Sequence, residues 1–201
     1  MDPKTQPLIG VVPDRSRSYS VDEERRLAEN LTVLTFEVHE GGSRNRQANE
    51  ELLCDFHRRL FDSVRDHAGV IRKRGFGTET LTFGPNRSPR REEVPDQLYD
   101  VFMQLQRGLQ SFDQNPNHPQ YEHSAIRLAA WTHAEVIRIH PFEDGNGRCS
   151  RLLLNWILVR LGLLPIAFEA TRQEYCECLN HYFRTNDLQP FLDLVVRLYS
   201  I

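Results

Sequence analysis

Long apolar runs, a surplus of positive charge and abundant cysteine are all missing from this 201-residue sequence. No apolar stretch approaches the roughly 20 residues that span a membrane. The apolar run near the N-terminus, which Pro13 ends, is too short for a signal-peptide core. We therefore expect no membrane partner and a cytoplasmic location. Delivery into another cell by a specialised machinery stays open, because an injected protein would show the same composition.

The charge balance and the few cysteines exclude two further kinds of site. The formal net charge is −3, so no overall positive field attracts nucleic acid, and the basic stretch 87–91 is interpreted as a solvated loop. No pair of Cys or His residues has the spacing of a zinc site, so the four cysteines are expected to be reduced thiols. Neither a nucleic-acid partner nor a structural zinc ion is predicted.

Helical periodicity is what the sequence does contain. Ser20 and Glu23 have the spacing of a capping box, which predicts a helix that begins there and ends near Gly41. Apolar periodicity predicts further helices over residues 49–67, 94–109, 122–139, 152–159, 171–184 and 187–198. Residues 1–19 lack periodicity and are predicted to form a flexible N-terminal arm. Residues 20–48 are predicted to form an N-terminal helix, for which a regulatory role is one interpretation.

Residues 68–95 interrupt this periodicity. Several glycines and prolines break any helix there, and the β-forming residues 78–83 between them predict a short hairpin. The sequence therefore predicts an all-α fold, a helical bundle with one short β-hairpin.

The segment 140–151 concentrates residue types that serve phosphate chemistry. Gly145, Asn146 and Gly147 lead directly into a predicted buried helix. A glycine loop at a helix N-terminus is an anion site, because its free backbone N–H groups and the helix dipole favour a negative group. The side chain of Asn146 can also donate to a phosphate oxygen.

Four side chains around this loop complete the predicted phosphate site. Arg148 and Arg151 lie three residues apart, so both face one side of the first helical turn and can hold neighbouring phosphates. Asp144 is a hard oxygen ligand that suits a magnesium ion bound mainly by substrate phosphates. His140, whose ordinary pKa is about 6.5, can accept a proton from an attacking hydroxyl near neutral pH.

Ordinary structural interpretations exist for each of these residue types. A histidine at a helix end is often a cap, and two arginines on a helix are often a solvated face. His133 could share a metal with His140, although a core role is favoured. Glu143 beside Asp144 could suggest a carboxylate dyad, but sequence neighbours point apart, so only Asp144 is assigned to metal. Cys149 is interpreted as a packing residue. The number of suited residue types within one short segment favours the phosphate site.

The segment His140–Arg151 also resembles the signature of the Fic (filamentation-induced-by-cAMP, or Fido-domain) family, His-x-Phe-x-[Asp/Glu]-Gly-Asn-Gly-Arg-x-x-Arg. Every specified position matches. The resemblance extends over about residues 50–198: residues 68–72 are similar to the entry of the family's flap hairpin and residues 93–95 to its exit. It implies a Fic-type helical bundle with one hairpin flap, and a catalytic domain over residues 50–198.

The resemblance implies a magnesium-dependent protein adenylyltransferase, which transfers AMP from ATP to a Ser, Thr or Tyr hydroxyl of a target protein. In such an enzyme His140 is the general base and Asp144 holds magnesium. The nucleotide is then bound by Gly145, Asn146, Gly147, Arg148 and Arg151. Kinases of the same fold, of the Doc type, carry lysine in place of the second glycine, so Gly147 favours AMP transfer over phosphate transfer.

A docking flap and a form of control are also implied by the resemblance. The flap would hold the target chain by strand addition, through Thr78, Thr80, Leu81 and Thr82. Many members are inhibited by a helix with the pattern [Ser/Thr]-x-x-x-Glu-[Gly/Asn], whose Glu pairs with the second motif arginine, here Arg151. The nearest copy in this chain is incomplete: it has Glu29, but Arg25 at the first position. A degenerate brake at Glu29, a brake on a separate antitoxin-like chain and no brake all stay open.

Two other functional classes stay open at this point. The chain could be a non-catalytic nucleotide-binding or interaction module, although the intact His140 and motif arginines disfavour that. It could also use another phosphate-containing donor, or remove AMP from a target, since the motif by itself does not separate these reactions.

Overall fold

The computed structural model describes residues 19–200, and this part of the chain folds into seven helices and one two-stranded sheet. The elements in order are α1 (Val21–His39), α2 (Glu50–Leu60), β1 (Thr82–Phe83), β2 (Asn86–Arg87), α3 (Val94–Gln114), α4 (Tyr121–Ile139), α5 (Asn146–Arg160), α6 (Arg172–Thr185) and α7 (Gln189–Tyr199). The predicted all-α class with one hairpin is confirmed. None of the described helices combines the length and apolarity that crossing a membrane requires.

Helix α5 is the central element of the bundle and packs against α4, α1 and α2. Its apolar side chains are almost completely buried, including Leu153, Leu154, Ile157 and Leu158. Trp156 is 1% exposed and donates its indole N–H to the Ser43 carbonyl at 2.8 Å. Burial of each such large apolar side chain contributes about 1.5–3 kcal/mol. The prediction of a buried central helix is confirmed, and the core therefore fixes the helix that begins at the 140–151 segment.

Helix α4 ends at Ile139 and so leads directly into the 140–151 segment from its N-terminal side. It packs against α3, α5, α6 and α7, and four alanines on it are fully buried, namely Ala125, Ala129, Ala130 and Ala134. Small residues at these positions let the neighbouring helices approach closely. Because both flanking helices are held in the core, the short connection between Ile139 and Asn146 has little freedom.

Helix α1 begins as the sequence predicts. The Ser20 hydroxyl accepts a hydrogen bond from the Glu23 backbone, and the Glu23 carboxylate accepts one from the Ser20 backbone at 2.8 Å. The helix ends at His39, and Gly41 follows in the left-handed region with φ 74°. Residues 1–18 of the predicted N-terminal arm lie outside the described residues. Tyr19 is packed, with the Arg65 guanidinium 4.4 Å from its ring centroid.

The second predicted helix was too long. Helix α2 ends at Leu60, not at His67, because the chain turns there and Ser63 adopts a positive φ of 59°. Phe61 and Val64 stay buried inside this turn. Apolar periodicity continued past the helix end because turn residues pack into the same core, so the pattern could not reveal where the helix stops.

The hairpin is shorter than predicted and lies later in the chain. Thr82 pairs with Arg87 and Phe83 pairs with Asn86, and the two strands turn at Gly84. Thr78, Thr80 and Leu81 precede β1, so most of the predicted strand 78–83 is irregular chain beside the hairpin, with bends at residues 79 and 80. Two backbone bonds continue the pairing beyond the strands: the Ser88 N–H donates to the Leu81 carbonyl at 2.9 Å, and the Arg91 N–H donates to the Glu79 carbonyl at 2.8 Å.

The basic stretch 87–91 is more than a solvated loop, which corrects the interpretation from the sequence. The Arg87 guanidinium donates to the Thr80 hydroxyl at 2.9 Å and 3.1 Å. Arg91 donates to the Gly77 carbonyl at 2.8 Å. These arginines brace the residues that lead into the hairpin.

Candidate active site

His140 caps the C-terminus of α4 in a left-handed conformation, with φ 53° and ψ 60°. The following proline prevents the helix from continuing. Nδ1 of the imidazole lies 3.2 Å from the Ile137 carbonyl oxygen. A carbonyl oxygen can only accept a hydrogen bond, so this contact requires the tautomer with its proton on Nδ1. In that neutral tautomer, Nε2 carries the lone pair that can accept a proton. The geometry therefore presents Nε2 as the basic nitrogen.

The hairpin covers one face of this imidazole. The Phe83 ring stacks on the His140 ring with centroids 4.3 Å apart and an interplanar angle of 12°. Phe83 also meets the ring of Phe183 on α6 edge to face, with centroids 6.1 Å apart. The side-chain amide of Asn86 on β2 donates to that of Asn180 on α6. The hairpin is thus attached to α6, and its Phe83 lies directly against the predicted base. No pattern in the sequence indicates this contact.

The loop between α4 and α5 is held by Asn146. Its side-chain oxygen accepts from the Phe142 N–H, and its side-chain nitrogen donates to the Phe142 carbonyl, both at 2.9 Å. Asn146 is 2% exposed, and Phe142 is fully buried. The Asn146 side chain therefore shapes the loop from inside, which differs from the predicted donation to phosphate; a phosphate contact by its backbone N–H stays a prediction.

A second buried support of the loop is His57 on α2, which the sequence analysis missed. Its ring lies between the rings of Phe61 and Phe142, with centroids 4.6 Å and 3.9 Å away. Nδ1 accepts from the Gly69 N–H at 2.7 Å, and Nε2 donates to the Asp144 carbonyl at 3.1 Å. Burial lowers the pKa of His57 to about 3, so the ring is neutral. The contact joins residues far apart in sequence, and no local pattern could have indicated it.

The two motif glycines have different constraints. Gly145 is the N-cap of α5 with φ 76°, and a Cβ there would collide with the ring of Phe61. Only glycine satisfies both conditions. A Cβ at Gly147 would meet nothing nearer than a guanidinium nitrogen of Arg151, at 3.4 Å. A larger side chain at position 147 would therefore fit, but it would project beside Arg151.

Asp144 and Arg148 form an ion pair at the start of α5. The Arg148 guanidinium lies 3.1 Å from Oδ1 of Asp144, and the same oxygen accepts the Gly145 N–H. The Arg148 side chain is 3% exposed and its guanidinium lies over the Phe61 ring, 5.0 Å from the centroid. This pairing sets the orientation of both side chains, as a charge-assisted hydrogen bond does.

Arg151 lies one turn later and has different neighbours. Its guanidinium is 5.9 Å from the centroid of Phe168 and beside the Tyr175 hydroxyl. Burial lowers the pKa of Arg151, and the neighbouring Tyr175 hydroxyl raises it. The Tyr175 hydroxyl lies 2.7 Å from Nε2 of the buried His133. Arg151 is therefore held by aromatic residues, and its charge suits an anionic ligand.

The residues of the predicted site line one cavity of about 520 Å³. It is lined by His140, Asp144, Gly145, Asn146, Gly147, Arg148 and Arg151 together with residues of the hairpin and α6. Its size falls in the range of small-ligand pockets, about 300–1,000 Å³. A second cavity of about 540 Å³ lies on the α1 side of α5 and shares Arg148 and Arg151. Only the first contains His140, so we take it as the candidate active site.

The predicted flap residues do not all face the same way. The Thr78 backbone N–H donates to the Glu143 carboxylate, and the Leu81 N–H and carbonyl both bond to Ser88. Backbone groups alternate in direction along an extended chain. Thr82, which follows Leu81 and pairs in β1 with Arg87, therefore directs its N–H and carbonyl groups away from the partner strand, whereas the chain bends at Glu79 and Thr80.

Other residues singled out in the sequence have clear positions. The predicted divergence of neighbouring carboxylates is confirmed: Glu143 bonds to Thr78 and Asp144 to Arg148. Cys149 is fully buried, and burial raises the pKa of its thiol to about 12, as suits a packing residue. Glu29 is exposed and lines neither cavity that contains Arg151.

Comparison with known proteins is in accord with this geometry. The sequence model of the Fic/DOC family matches residues 47–158. The chain belongs to the Fic/DOC family. Members similar to it include the protein adenylyltransferase Fic of Nematostella vectensis, 34% identical over 146 residues, which are 72% of this chain and 31% of the relative. The protein adenylyltransferase fic-1 of Caenorhabditis elegans is 44% identical over 73 residues, 36% of this chain and 14% of the relative. The chain thus spans less than a third of these curated Fic/DOC relatives.

Solved structures of Fic proteins share the fold. Caenorhabditis elegans Fic-1 superposes with a TM-score of 0.65 at 27% identity, covering 94% of this chain and 51% of that one. The Bartonella tribocorum effector BepC, solved with bound AMPPNP, has a TM-score of 0.65 at 18% identity and covers 90% of each chain. The second of these likenesses concerns the fold alone.

Proposed function

We propose that this chain is a protein adenylyltransferase that transfers AMP from MgATP to a Ser, Thr or Tyr hydroxyl of a target protein. The observation that carries the proposal is the single cavity that His140, the glycine loop and the two motif arginines line together. A base and a phosphate cradle in one cavity are what nucleotidyl transfer requires, because positioning and charge neutralisation provide most of its catalysis. The relatives named protein adenylyltransferase support the same activity.

In the proposed reaction, the target hydroxyl oxygen attacks the α-phosphorus of ATP. The bond from the α-phosphorus to the oxygen that bridges it to the β-phosphorus breaks, and pyrophosphate leaves. The hydroxyl proton passes to Nε2 of His140, which the Nδ1 contact with Ile137 selects as the acceptor. Arg148 and Arg151 stabilise the negative charge that grows on the departing pyrophosphate.

Magnesium fits this site as a companion of the nucleotide. Within residues 19–200, no group of three or more His, Cys, Asp and Glu side chains could hold a metal by itself. Asp144 lines the cavity next to the loop. One carboxylate, phosphate oxygens and water together form a donor set that Mg²⁺ accepts. When bound, the ion would offset phosphate charge, and Asp144 is the residue proposed to hold it.

The hairpin and α6 side of the cavity is proposed to hold the adenosine. Leu179 and Phe183 offer apolar surface against which a base can pack. Asn86 and Asn180 add amide donors and acceptors that suit the edge of a base. The Bartonella effectors described with bound AMPPNP and with bound ADP support an adenine nucleotide as the ligand. Gly147 also supports AMP transfer, because the Doc-type kinases of this fold carry a lysine at the corresponding position. Such a lysine would project beside Arg151.

The target chain is proposed to dock on the edge formed by Thr80 and Thr82, which we call the docking edge. The outward backbone groups of Thr82 in β1 can accept one strand of a partner by β-augmentation, with Thr80 at the start of this edge. Hydrogen bonds of this kind involve only the main chain of the target. They can therefore position the hydroxyl side chain of the target with little dependence on the rest of its sequence. The docking edge precedes Phe83 directly, and Phe83 lies on His140, so a strand bound there passes close to the base.

Control of the activity is proposed to come from outside residues 19–200. A carboxylate that pairs with Arg151 would block its contact with a terminal phosphate. Glu29 is exposed and is not among the residues that line either cavity, which favours another source. A separate antitoxin-like chain is the source that the family resemblance suggests, and the second cavity, which α1 and Arg151 both line, is the place proposed for its carboxylate.

Labelled ATP tests the proposed function directly. A lysate is incubated with the protein, magnesium and ATP labelled at the α- or the γ-phosphate, and protein-bound AMP is identified by mass spectrometry. We expect label from the α-position only, and a rate roughly 10²–10⁴-fold lower for His140→Ala with nucleotide binding retained. Label from the γ-position alone would indicate a kinase. Saturable ATP binding without any transfer would indicate a binding module.

A further inference from the structure

Glu143 occupies a position that the Fic signature leaves unspecified, and in this structure it bonds to the chain that leads into the hairpin. Its carboxylate accepts the backbone N–H of Thr78 and, at 2.8 Å, the Thr78 hydroxyl. Glu143 lies next to Asp144 in the motif loop, and Thr78 lies two residues before Thr80 of the docking edge. Two hydrogen bonds to a charged acceptor therefore join the motif loop to the docking edge.

The chain is shaped for this contact at Gly77. Its φ is +82°, a conformation that side chains rarely adopt. A Cβ at Gly77 would lie 2.7 Å from Oε1 of Glu143 and 2.9 Å from Cγ of Arg72. Glycine is thus needed for the backbone before Thr78 to approach the carboxylate.

Arg72 links the same two segments from beneath. It is fully buried and donates to the carbonyls of Ile139 and His140, at 3.1 Å and 2.9 Å. On its other side it donates to the Thr78 carbonyl at 3.1 Å. Burial lowers the pKa of Arg72, and the Glu143 carboxylate raises it. The carboxylate therefore serves as the nearby counter-charge for an arginine that contacts both the base and the start of the hairpin.

We propose that Glu143 is a positioning residue, which holds the docking edge in register with His140 through its bonds to Thr78. The inference rests on the proposed function, in which a target strand docks at Thr80 and Thr82. Without the bonds to Glu143, the residues before β1 keep their contacts to Arg72, Ser88 and the arginines of the stretch 87–91. They lose their direct hydrogen bonds to the motif loop, so the edge moves more freely relative to the imidazole. The mobile edge must then be ordered again when the target strand docks, so the target binds less tightly, although the nucleotide cradle is unchanged.

The experiment compares Glu143→Ala and Thr78→Val with wild type, and uses Glu79→Gln as the matched control. Glu79 is a carboxylate of the same segment whose side chain makes an exposed ion pair with Arg90. Amide hydrogen exchange of residues 78–88 measures how often the docking edge opens, and calorimetry with MgATP measures nucleotide affinity. Steady-state kinetics with the target protein found by the labelling experiment give kcat and KM. Thermal melting shows that each variant is folded.

For Glu143→Ala we expect amide exchange at residues 78–83 to become about tenfold faster, as the loss of local hydrogen bonds predicts. The KM for the target protein should rise roughly tenfold, while kcat and the MgATP affinity stay within about threefold of wild type. Thr78→Val should show a smaller change of the same kind, and Glu79→Gln none.

Unchanged exchange in both variants would overturn the proposal, and so would faster exchange with an unchanged KM. A loss of MgATP affinity with unchanged exchange would place Glu143 in the nucleotide site instead. If wild type transfers no AMP to any protein, the proposed function fails, and the proposed role in transfer is overturned with it; exchange then shows separately whether Glu143 holds the edge.

Discussion

Asn146 and Asn155 lie on the same helix, more than two turns apart, and make the same pair of hydrogen bonds. Each side-chain amide accepts a backbone N–H and donates to the carbonyl of the same residue. Asn146 does so with Phe142, at 2.9 Å for both bonds, and Asn155 with Ile166, at 2.9 Å and 3.0 Å. The two asparagines fix the chain that enters α5 and the chain that follows it, and only the first fixes the motif loop.

This relationship gives a matched pair of variants. Asn146→Ala and Asn155→Ala each leave two buried backbone groups without a partner, which costs about 1–3 kcal/mol per group. We expect similar losses in the free energy of unfolding, measured with urea. Only Asn146→Ala should also weaken MgATP binding, by about tenfold or more, because the loop loses its shape. Equal nucleotide affinity in the two variants would contradict a loop-shaping role for Asn146.

Arg151 should distinguish the terminal phosphate. Arg151→Ala removes a charge-assisted contact worth about 1.5–3 kcal/mol, so we expect the Kd for ATP to rise roughly 10- to 100-fold. The Kd for ADP should change much less. Arg160→Ala is the control, because Arg160 is on the same helix and pairs with Asp113 at the surface. Calorimetry that finds equal losses for ATP and ADP would assign Arg151 to another part of the nucleotide.

Two buried histidines should make the protein sensitive to acid. Burial lowers the pKa of both His57 and His133 to about 3, whereas in the unfolded chain it is about 6.5. Between these values the unfolded chain binds more protons, so stability falls as the pH decreases from about 6.5 towards 3. From pH 7.5 to 5, each histidine should cost about 2 kcal/mol. Urea unfolding at the two pH values measures the loss, and His57→Gln should reduce it by roughly half.

Glu29 provides a test of internal inhibition. Because Glu29 is exposed and lines neither cavity that contains Arg151, we expect Glu29→Gly to leave auto-modification unchanged. The variant should only lose about 1 kcal/mol of stability, since glycine is a poor residue within a helix. Glu29→Ala separates the two effects, because alanine removes the carboxylate and favours the helix. Increased incorporation of AMP in both variants would show that Glu29 is the brake after all.

The parts of the fold that sequence predicted correctly depend on local chemistry. The start of α1 is set by Ser20 and Glu23, which bond to each other across three residues. The end of α4 is set by the proline after His140. Such signals are complete within one turn of chain, so they can be read without knowledge of the fold.

The parts that could not be predicted depend on contacts between distant segments. The end of α2 was missed because Phe61 continues the apolar pattern while it packs under Gly145. Phe83 gave no sign that it stacks on His140, since 57 residues separate them and aromatic residues are common in strands. The role of Asn146 was predicted incompletely for the same reason: its residue type suits both phosphate and backbone, and only the position of Phe142 decides between them.

The contact between His57 and Asp144 joins residues that are 87 positions apart. Contacts of such high sequence separation form late in folding, because a long loop must close before they contribute any stability. During synthesis, a nascent chain that ends before α5 already contains α2, but it lacks Asn146 and the helix that complete the cradle. The phosphate cradle is therefore a property of the complete bundle, and it should be acquired together with cooperative folding rather than by any shorter fragment.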